Sequence, residues 1–162
     1  MSTLKVGTIQ DHANSISAIT IDSSGYVVMP KRPYFNSTTT TQSIVGSTQV
    51  TLVASSLHHN NGTHYNTSNG RFTAPVSGVY TFSGSVVMNA TSGYLFISHV
   101  NSGGSGIQEY YGNQTNGSND SLTRYLVGAT FYMTANDYIT FVTAHFTSTH
   151  NVQHWLNGAF IG

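Results

Sequence analysis

The chain has 162 residues, of which only 6% are Asp, Glu, Lys or Arg, and five basic and five acidic residues leave no net charge. Nucleic-acid binders and surfaces that bind anionic lipid both need clustered Lys and Arg, so the composition excludes these two classes. The few acidic residues are scattered along the chain, which excludes calcium cages built from several neighbouring carboxylates.

Uncharged polar residues replace the missing charge. Ser, Thr, Asn and Gly make up 73 of the 162 residues, yet 38% of the chain is hydrophobic and 12% is aromatic. Such a chain can bury a sizeable core, and its bias to Thr, Tyr, Phe and Val favours strands. There is no cysteine, which excludes disulfides, thiolate zinc sites and a cysteine nucleophile.

Two targeting signals are missing. No run of about 18 apolar residues occurs, so we expect no membrane insertion. The start of the chain, Met1 to Val6, lacks the apolar core of a signal peptide, so we expect no export by the general secretory route.

The first 32 residues predict a small separate segment. Leu4 to Ile9 reads as one strand, and Ala18 to Met29 reads as a hairpin that turns at Ser23-Ser24-Gly25. Pro30 to Pro33 predicts a stiff extended connection. One strand and one hairpin bury too little to be stable alone, so we expect residues 1–32 to serve attachment or oligomerisation.

Residues 33–162 predict one all-β domain of about ten strands. Apolar residues recur with a period of two, as in Tyr80 to Met88 and Tyr138 to Phe146, and no stretch shows helical spacing. Turn signals such as Asn69-Gly70 and Ser77-Gly78 separate the strand-like runs, which is typical of a sandwich or jelly roll. Two polar loops flank a short predicted strand, Ile107 to Tyr111.

A motif in the middle of the chain resembles a known family. Its members are Asn60, Tyr65, Phe72, Pro75, Gly78, Tyr80 and Phe82, and weaker likeness surrounds Asp137 and Gly158. The pattern resembles the signature of the C1q/TNF-like jelly-roll superfamily, in its C1q branch. Ala54 and Gly84 depart from it, since both stand where an aromatic residue is expected. We interpret the matching residues as core residues that specify the fold, with no catalytic role.

The resemblance implies a C1q/TNF-like jelly-roll sandwich over roughly residues 33–162. It also implies a homotrimer in which three jelly rolls pack about an axis through aromatic and aliphatic faces.

The N-terminal segment carries a second resemblance, to a leader found in structural proteins of tailed phages, particularly marine ones. It implies a virion protein that is made in the host cytoplasm and contacts other virion proteins through this segment. The residues expected to make that attachment are apolar: Leu4, Val6, Ile9, Ile19, Ile21 and Val27.

Histidine is the abundant ionisable residue, with eight copies. His58, His59 and His64 fall near one loop, and His145, His150 and His154 fall near the C-terminal strands. Three converging imidazoles would bind zinc or nickel. The alternative is a set of ordinary polar histidines, and we expect no metal and no cofactor. A histidine cluster would also make stability respond to acid near a pKa of about 6.5.

Catalysis has little support in the sequence. No Gly-x-Ser-x-Gly elbow is present. Only Glu109 and Asp120 remain as a candidate carboxylate pair once turn and leader residues are set aside. We therefore expect no enzyme.

The polar loops of residues 98–121 have a composition suited to recognition, because Tyr gives rigid contact area and Asn, Ser and Gly give adaptable hydrogen bonds. The candidate ligand-facing residues are Glu109, Tyr110, Tyr111, Asn113, Asn116 and Asp120. A host cell-surface glycan or protein would suit them. The alternative is that they form solvated loops.

The leading hypothesis is a phage virion protein, a trimeric accessory adhesin at a fibre or tip. Two alternatives stay open: a capsid decoration protein that stabilises the shell, and a soluble C1q-like lectin or interaction module.

Overall fold

The computed structural model describes residues 6–10, 12–13, 15–45, 48–88, 93–114, 123–145 and 149–162. The contacts within the chain divide it into two compact units, Met1–Arg32 and Pro33–Gly162. The regular structure of the described residues is β-strand throughout. Within them, no helix is long and apolar enough to cross a membrane.

The first unit is a three-stranded antiparallel sheet in the order β1–β2–β3. Its strands are β1 (Thr8–Gln10), β2 (Ser17–Ile21) and β3 (Val27–Val28). Asp22 shapes the turn between β2 and β3, because its carboxylate accepts hydrogen bonds of 2.9 Å from the backbone N–H groups of Ser24 and Tyr26. Gly25 has a φ of 84°, a left-handed conformation that glycine adopts without strain.

The second unit contains two antiparallel sheets. Its strands are β4 (Tyr34–Ser37), β5 (Thr40–Ile44), β6 (Val50–Thr51), β7 (Leu57–Asn61), β8 (Tyr65–Asn66), β9 (Arg71–Thr73), β10 (Gly78–Met88), β11 (Gly93–Val100), β12 (Gly106–Tyr111), β13 (Asn113–Gln114), β14 (Thr123–Met133), β15 (Tyr138–His145) and β16 (His150–Phe160).

A seven-stranded sheet runs in the order β13–β14–β10–β16–β4–β7, with β5 also paired to β16. A six-stranded sheet runs in the order β12–β11–β15–β9–β8, with β6 also paired to β15. Two long strands therefore each pair with two short ones along the same edge, since β4 and β5 both pair with β16, and β6 and β9 both pair with β15.

Aromatic rings from both sheets fill the core between them. Phe72 of the six-stranded sheet lies 5.4 Å from Phe82 and 5.8 Å from Tyr80, which both belong to the seven-stranded sheet. Phe35 stacks on Tyr65 at 4.4 Å and lies 5.5 Å from Phe72. All five side chains are at most 2% exposed. Such contacts stabilise the fold by about 0.5–1.5 kcal/mol per pair, in addition to the free energy gained by burying the rings.

Two glycines make room for these rings. A Cβ on Gly158 would lie 2.3 Å from the Phe82 ring and 2.8 Å from the Phe35 ring. A Cβ on Gly84 would lie 2.8 Å from the Phe141 ring, which comes from the opposite sheet. Phe141 therefore occupies the space above Gly84, and this accounts for the missing aromatic residue at that position of the motif.

We predict that Gly158→Ala destabilises the fold by about 1–3 kcal/mol, because the added methyl group overpacks the interior against two rings that cannot move apart freely. Urea denaturation followed by circular dichroism measures the free energy of unfolding.

The matched control is Gly106→Ala. Gly106 also lies in a strand, but nothing stands within 4 Å of the point where an alanine Cβ would lie, so its stability should stay close to that of the wild type. Equal stabilities of the two variants would contradict this description of the core.

Candidate functional site

The motif residues hold the loop between β7 and β8. The Asn60 side chain accepts a hydrogen bond of 3.1 Å from the Tyr65 N–H and donates one of 2.8 Å to the Tyr65 carbonyl. The Tyr65 hydroxyl in turn accepts a hydrogen bond of 2.9 Å from the N–H of Ala54. Burial raises the pKa of Tyr65 to about 12. These groups are engaged in structural contacts, so they are poorly placed for ligand chemistry.

Asp137 joins a turn to a neighbouring strand. Its carboxylate accepts hydrogen bonds from the Thr134 N–H at 2.9 Å and the Ser102 N–H at 3.2 Å. Its Oδ2 atom also lies 3.3 Å from His99 Nε2, and His99 packs on Phe131 with ring centroids 4.9 Å apart. Because the carboxylate is almost fully buried and its oxygens have these partners, we interpret Asp137 as a structural residue.

The histidines do not gather into a metal site in the described part of the chain, where no group of three His, Asp or Glu side chains could hold an ion. His58 and His59 are exposed on β7, and His150 lies at the start of β16. Burial lowers the pKa of His64 in the loop between β7 and β8. The side chain of His145 is outside the described residues.

His154 is fully buried on the inner face of the seven-stranded sheet. It stands in one cross-strand row with Val86, Tyr125 and Thr40. Among the described residues, neither its two ring nitrogens nor the hydroxyls of Thr40 and Tyr125 have a hydrogen-bond partner. Burial lowers the pKa of His154 to about 4. The alternation along β16 indicates this burial, because His154 lies between Val152 and Leu156 at inward positions.

The outer face of the seven-stranded sheet, which we call the assembly face, is poor in charge. Arg124 is the only Asp, Glu, Lys or Arg residue in β10, β14 and β16. Tyr132 is 62% exposed and Leu126 is 49% exposed on this face. A shallow depression of about 590 Å³ lies nearby, and its lining residues include Trp155 and Leu126 of this face and Tyr111 of β12. Exposed apolar side chains on a surface with so little charge favour contact with another protein surface.

The outer face of the six-stranded sheet differs from it in chemistry. The Tyr111 hydroxyl donates a hydrogen bond of 2.6 Å to Glu109 Oε2, and this bond raises the pKa of Tyr111. The Tyr111 ring stacks on Phe96 with centroids 5.0 Å apart and meets Tyr94 edge-on at 6.2 Å. Sequence analysis missed Tyr94 and Phe96, although they lie two residues apart and therefore share one face of β11.

The predicted ligand-facing residues separate into four groups. Glu109 and Tyr111 lie on the exposed outer face of β12. Tyr110 points the other way, stacks on Phe131 of the neighbouring sheet at 4.4 Å and packs against the core, so it does not share the outer face of Glu109 and Tyr111. Only the backbone of Asn113 is described, in β13. Asn116 and Asp120 fall outside the described residues.

Four of the six predicted attachment residues form one aliphatic face of the first unit. Ile9 pairs with Ile19, and Ile21 pairs with Val27, so all four side chains project from the same side of the three-stranded sheet. Ile9 is 50% exposed and Val27 is 63% exposed. Val6 is also exposed, whereas Leu4 falls outside the described residues.

Comparison with known proteins decides the family. The model of the C1q domain family matches residues 34–153. The chain belongs to the C1q domain family. No curated protein sequence matches the chain significantly.

Solved structures share the fold at low sequence identity. The globular domain of the zebrafish complement 1qA protein has a TM-score of 0.59 at 13% identity and covers 81% of this chain and 98% of its own. Eiger TNF from S. frugiperda has a TM-score of 0.59 at 6% identity, covering 82% and 94%. Murine APRIL has a TM-score of 0.53 at 9% identity, covering 78% and 98%. The predicted C1q/TNF-like jelly roll is therefore confirmed.

We predict that acid destabilises the C1q domain through His154. The unfolded chain takes up a proton on this residue as the pH falls through 6.5, whereas the folded chain does so only near 4. The free energy of unfolding therefore falls between these two values, by about 3 kcal/mol in total, since one pKa unit is worth about 1.4 kcal/mol. Urea denaturation at pH 7.5 and pH 4.5 measures the difference.

Two variants identify the residue responsible. His154→Leu removes the titrating group from its buried site and should flatten the pH dependence, whereas His58→Leu, at an exposed position, should preserve it. An undiminished loss of stability in acid for His154→Leu would rule out this assignment.

Proposed function

We propose that this chain is the subunit of a homotrimeric, non-enzymatic binding protein carried on a phage particle. Three C1q domains would form a head, the segment of residues 1–32 would attach it to other virion proteins, and the head would bind a glycan or protein of the host surface. The observation that carries this proposal is the charge-poor assembly face on a C1q-family fold.

The assembly face supports trimer formation. Obligate interfaces are more apolar than the rest of a protein surface and are enriched in aromatic residues. Leu126 and Trp155 supply such groups in the lining of the shallow depression, and Tyr132 supplies another exposed ring on the same face. Several polar groups on this face are short and already paired: the Ser83 hydroxyl donates a hydrogen bond of 3.0 Å to Asn157, and the Thr130 hydroxyl donates one of 3.0 Å to Thr81. Burying this face would therefore leave few polar groups unsatisfied.

The N-terminal unit supports attachment. A three-stranded sheet of this size gains stability only when its hydrophobic face is covered. The aliphatic face of Ile9, Ile21 and Val27 is exposed to solvent in the single chain. The resemblance of this segment to a phage structural leader favours another virion protein as the covering partner.

Recognition would work by multivalency and would need no chemical step. Three weak sites on each trimer, repeated over a particle, raise the overall avidity without tight single contacts. Members of the C1q/TNF-like family are generally binding modules without catalytic activity, and the carboxylates of Asp137 and Glu109 are engaged with neighbouring groups.

We predict that Leu126→Asp converts the trimer to monomers. The substitution would bury an unpaired carboxylate in each interface, which costs about 3 kcal/mol or more and weakens association by at least roughly a hundredfold. Size-exclusion chromatography with light scattering at micromolar concentration measures the mass.

Ile107→Asp serves as the control, because Ile107 is 52% exposed, close to the 49% of Leu126, but lies on a strand of the other sheet. It should remain trimeric. A wild-type chain that is monomeric at micromolar concentration would refute the trimer.

A second prediction concerns the particle. Gold-labelled antibody against this chain should mark purified virions at a fibre or tail tip in electron micrographs. Label over the capsid surface would instead favour a decoration protein. Virions without label would overturn the virion assignment and favour a soluble C1q-like module.

A further inference from the structure

We propose that the outer face of the six-stranded sheet binds a neutral glycan, through a polar row that crosses four strands. The row consists of Glu109 on β12, Ser98 on β11, Thr140 on β15 and Arg71 on β9, each directly opposite the next. Adjacent strands lie about 4.8 Å apart, so the row spans roughly 14 Å. This inference rests on the proposed attachment function and assigns it a ligand class and a surface.

Aromatic rings border the row on both sides. Tyr111 and Phe96 are the next residues on this face of β12 and β11, two positions along the chain from Glu109 and Ser98. On the other side of the row, Tyr138 is the next residue on this face of β15, two positions before Thr140. One face of the Tyr111 ring covers Phe96, which is 1% exposed, while Tyr111 itself is 63% exposed. The free face of Tyr111 is therefore available to the C–H groups of a pyranose, which are drawn to the electron-rich face of an aromatic ring.

The hydrogen-bonding groups of the row match a hydroxyl-rich ligand. The Glu109 carboxylate accepts hydrogen bonds, the Arg71 guanidinium donates them, and the hydroxyls of Ser98 and Thr140 do both. Two of these groups are held in place before a ligand arrives. Glu109 is fixed by the Tyr111 hydroxyl at 2.6 Å, and the Arg71 guanidinium lies 4.2 Å above the Tyr138 ring. Such preorganisation reduces the entropy lost on binding.

The charge of the row selects against other ligands. One carboxylate and one guanidinium stand at its two ends and cancel, so a phosphate-rich or otherwise strongly anionic chain gains no net attraction and is repelled near Glu109. A protein partner usually binds a surface whose centre is apolar, whereas the centre of this surface consists of the hydroxyls of Ser98 and Thr140. A neutral saccharide chain meets both conditions.

The proposed assembly leaves the polar row free. Trimer formation would bury the outer face of the seven-stranded sheet, and the four residues of the polar row lie on the outer face of the other sheet. Tyr111 is on the edge strand of its sheet and also lines the depression that contains Leu126 and Trp155, so it borders both faces. Each trimer would therefore present three glycan sites on its exterior, and their combined avidity would compensate for weak single sites.

The test is biolayer interferometry with the full-length chain on an immobilised panel of glucose, galactose and mannose oligosaccharides, with sialylated oligosaccharides as charged comparators. We expect the wild type to bind at least one neutral glycan. Tyr111→Ala should weaken that binding at least tenfold, and Glu109→Gln should weaken it severalfold. Tyr111→Phe should fall between Tyr111→Ala and the wild type, because it keeps the ring but loses the hydrogen bond to Glu109.

The matched control is Tyr26→Ala, which removes another exposed tyrosine, 71% exposed, from a turn of the N-terminal unit. Its binding should equal that of the wild type. The inference is overturned if the wild type binds no neutral glycan, binds only the sialylated comparators, or binds equally well after Tyr111→Ala. Light scattering on the same samples separates the two proposals, since a trimer that binds no glycan refutes only this inference, and a monomer refutes the proposed assembly.

Discussion

The packing of Phe72 against rings of the opposite sheet is the contact on which the rest of the C1q domain depends. Phe72 meets Phe82 and Phe35 within 5.5 Å, and Gly158 provides the space that lets these rings approach. Once the two inner faces are joined in this way, alternation along each strand fixes what the outer faces display. The surface chemistry of the domain is thus a consequence of how its core is packed.

The two outer faces have different characters although they come from the same strand-rich composition. The assembly face combines exposed Tyr132 and Leu126 with short polar side chains that pair with one another. The other face combines the carboxylate of Glu109 and the guanidinium of Arg71 with hydroxyls between them. Only 6% of the chain is charged, so the position of each charge is informative. One face would suit self-association, and the other would suit a hydroxyl-rich ligand.

Much of the fold could be predicted from sequence, because strand alternation and the Asn60 to Phe82 motif are local signals. The alternation along β12 also places the neighbouring side chains of Tyr110 and Tyr111 on opposite faces of the strand, although sequence analysis predicted that both face a ligand. The polar row could not be predicted, since it depends on the register between strands that are distant in sequence. The burial of His154 depended on the same long-range pairing, although its inward position follows from the alternation in β16.

The single tryptophan of the chain offers the most direct test of assembly, because Trp155 lies on the assembly face beside Leu126. Acrylamide quenching of its fluorescence, measured over a dilution series, reports whether that face is covered. Assembly through this face predicts strong protection at micromolar concentration, which is lost on dilution and in the Leu126→Asp variant. Equal quenching of the wild type and Leu126→Asp at every concentration would contradict it.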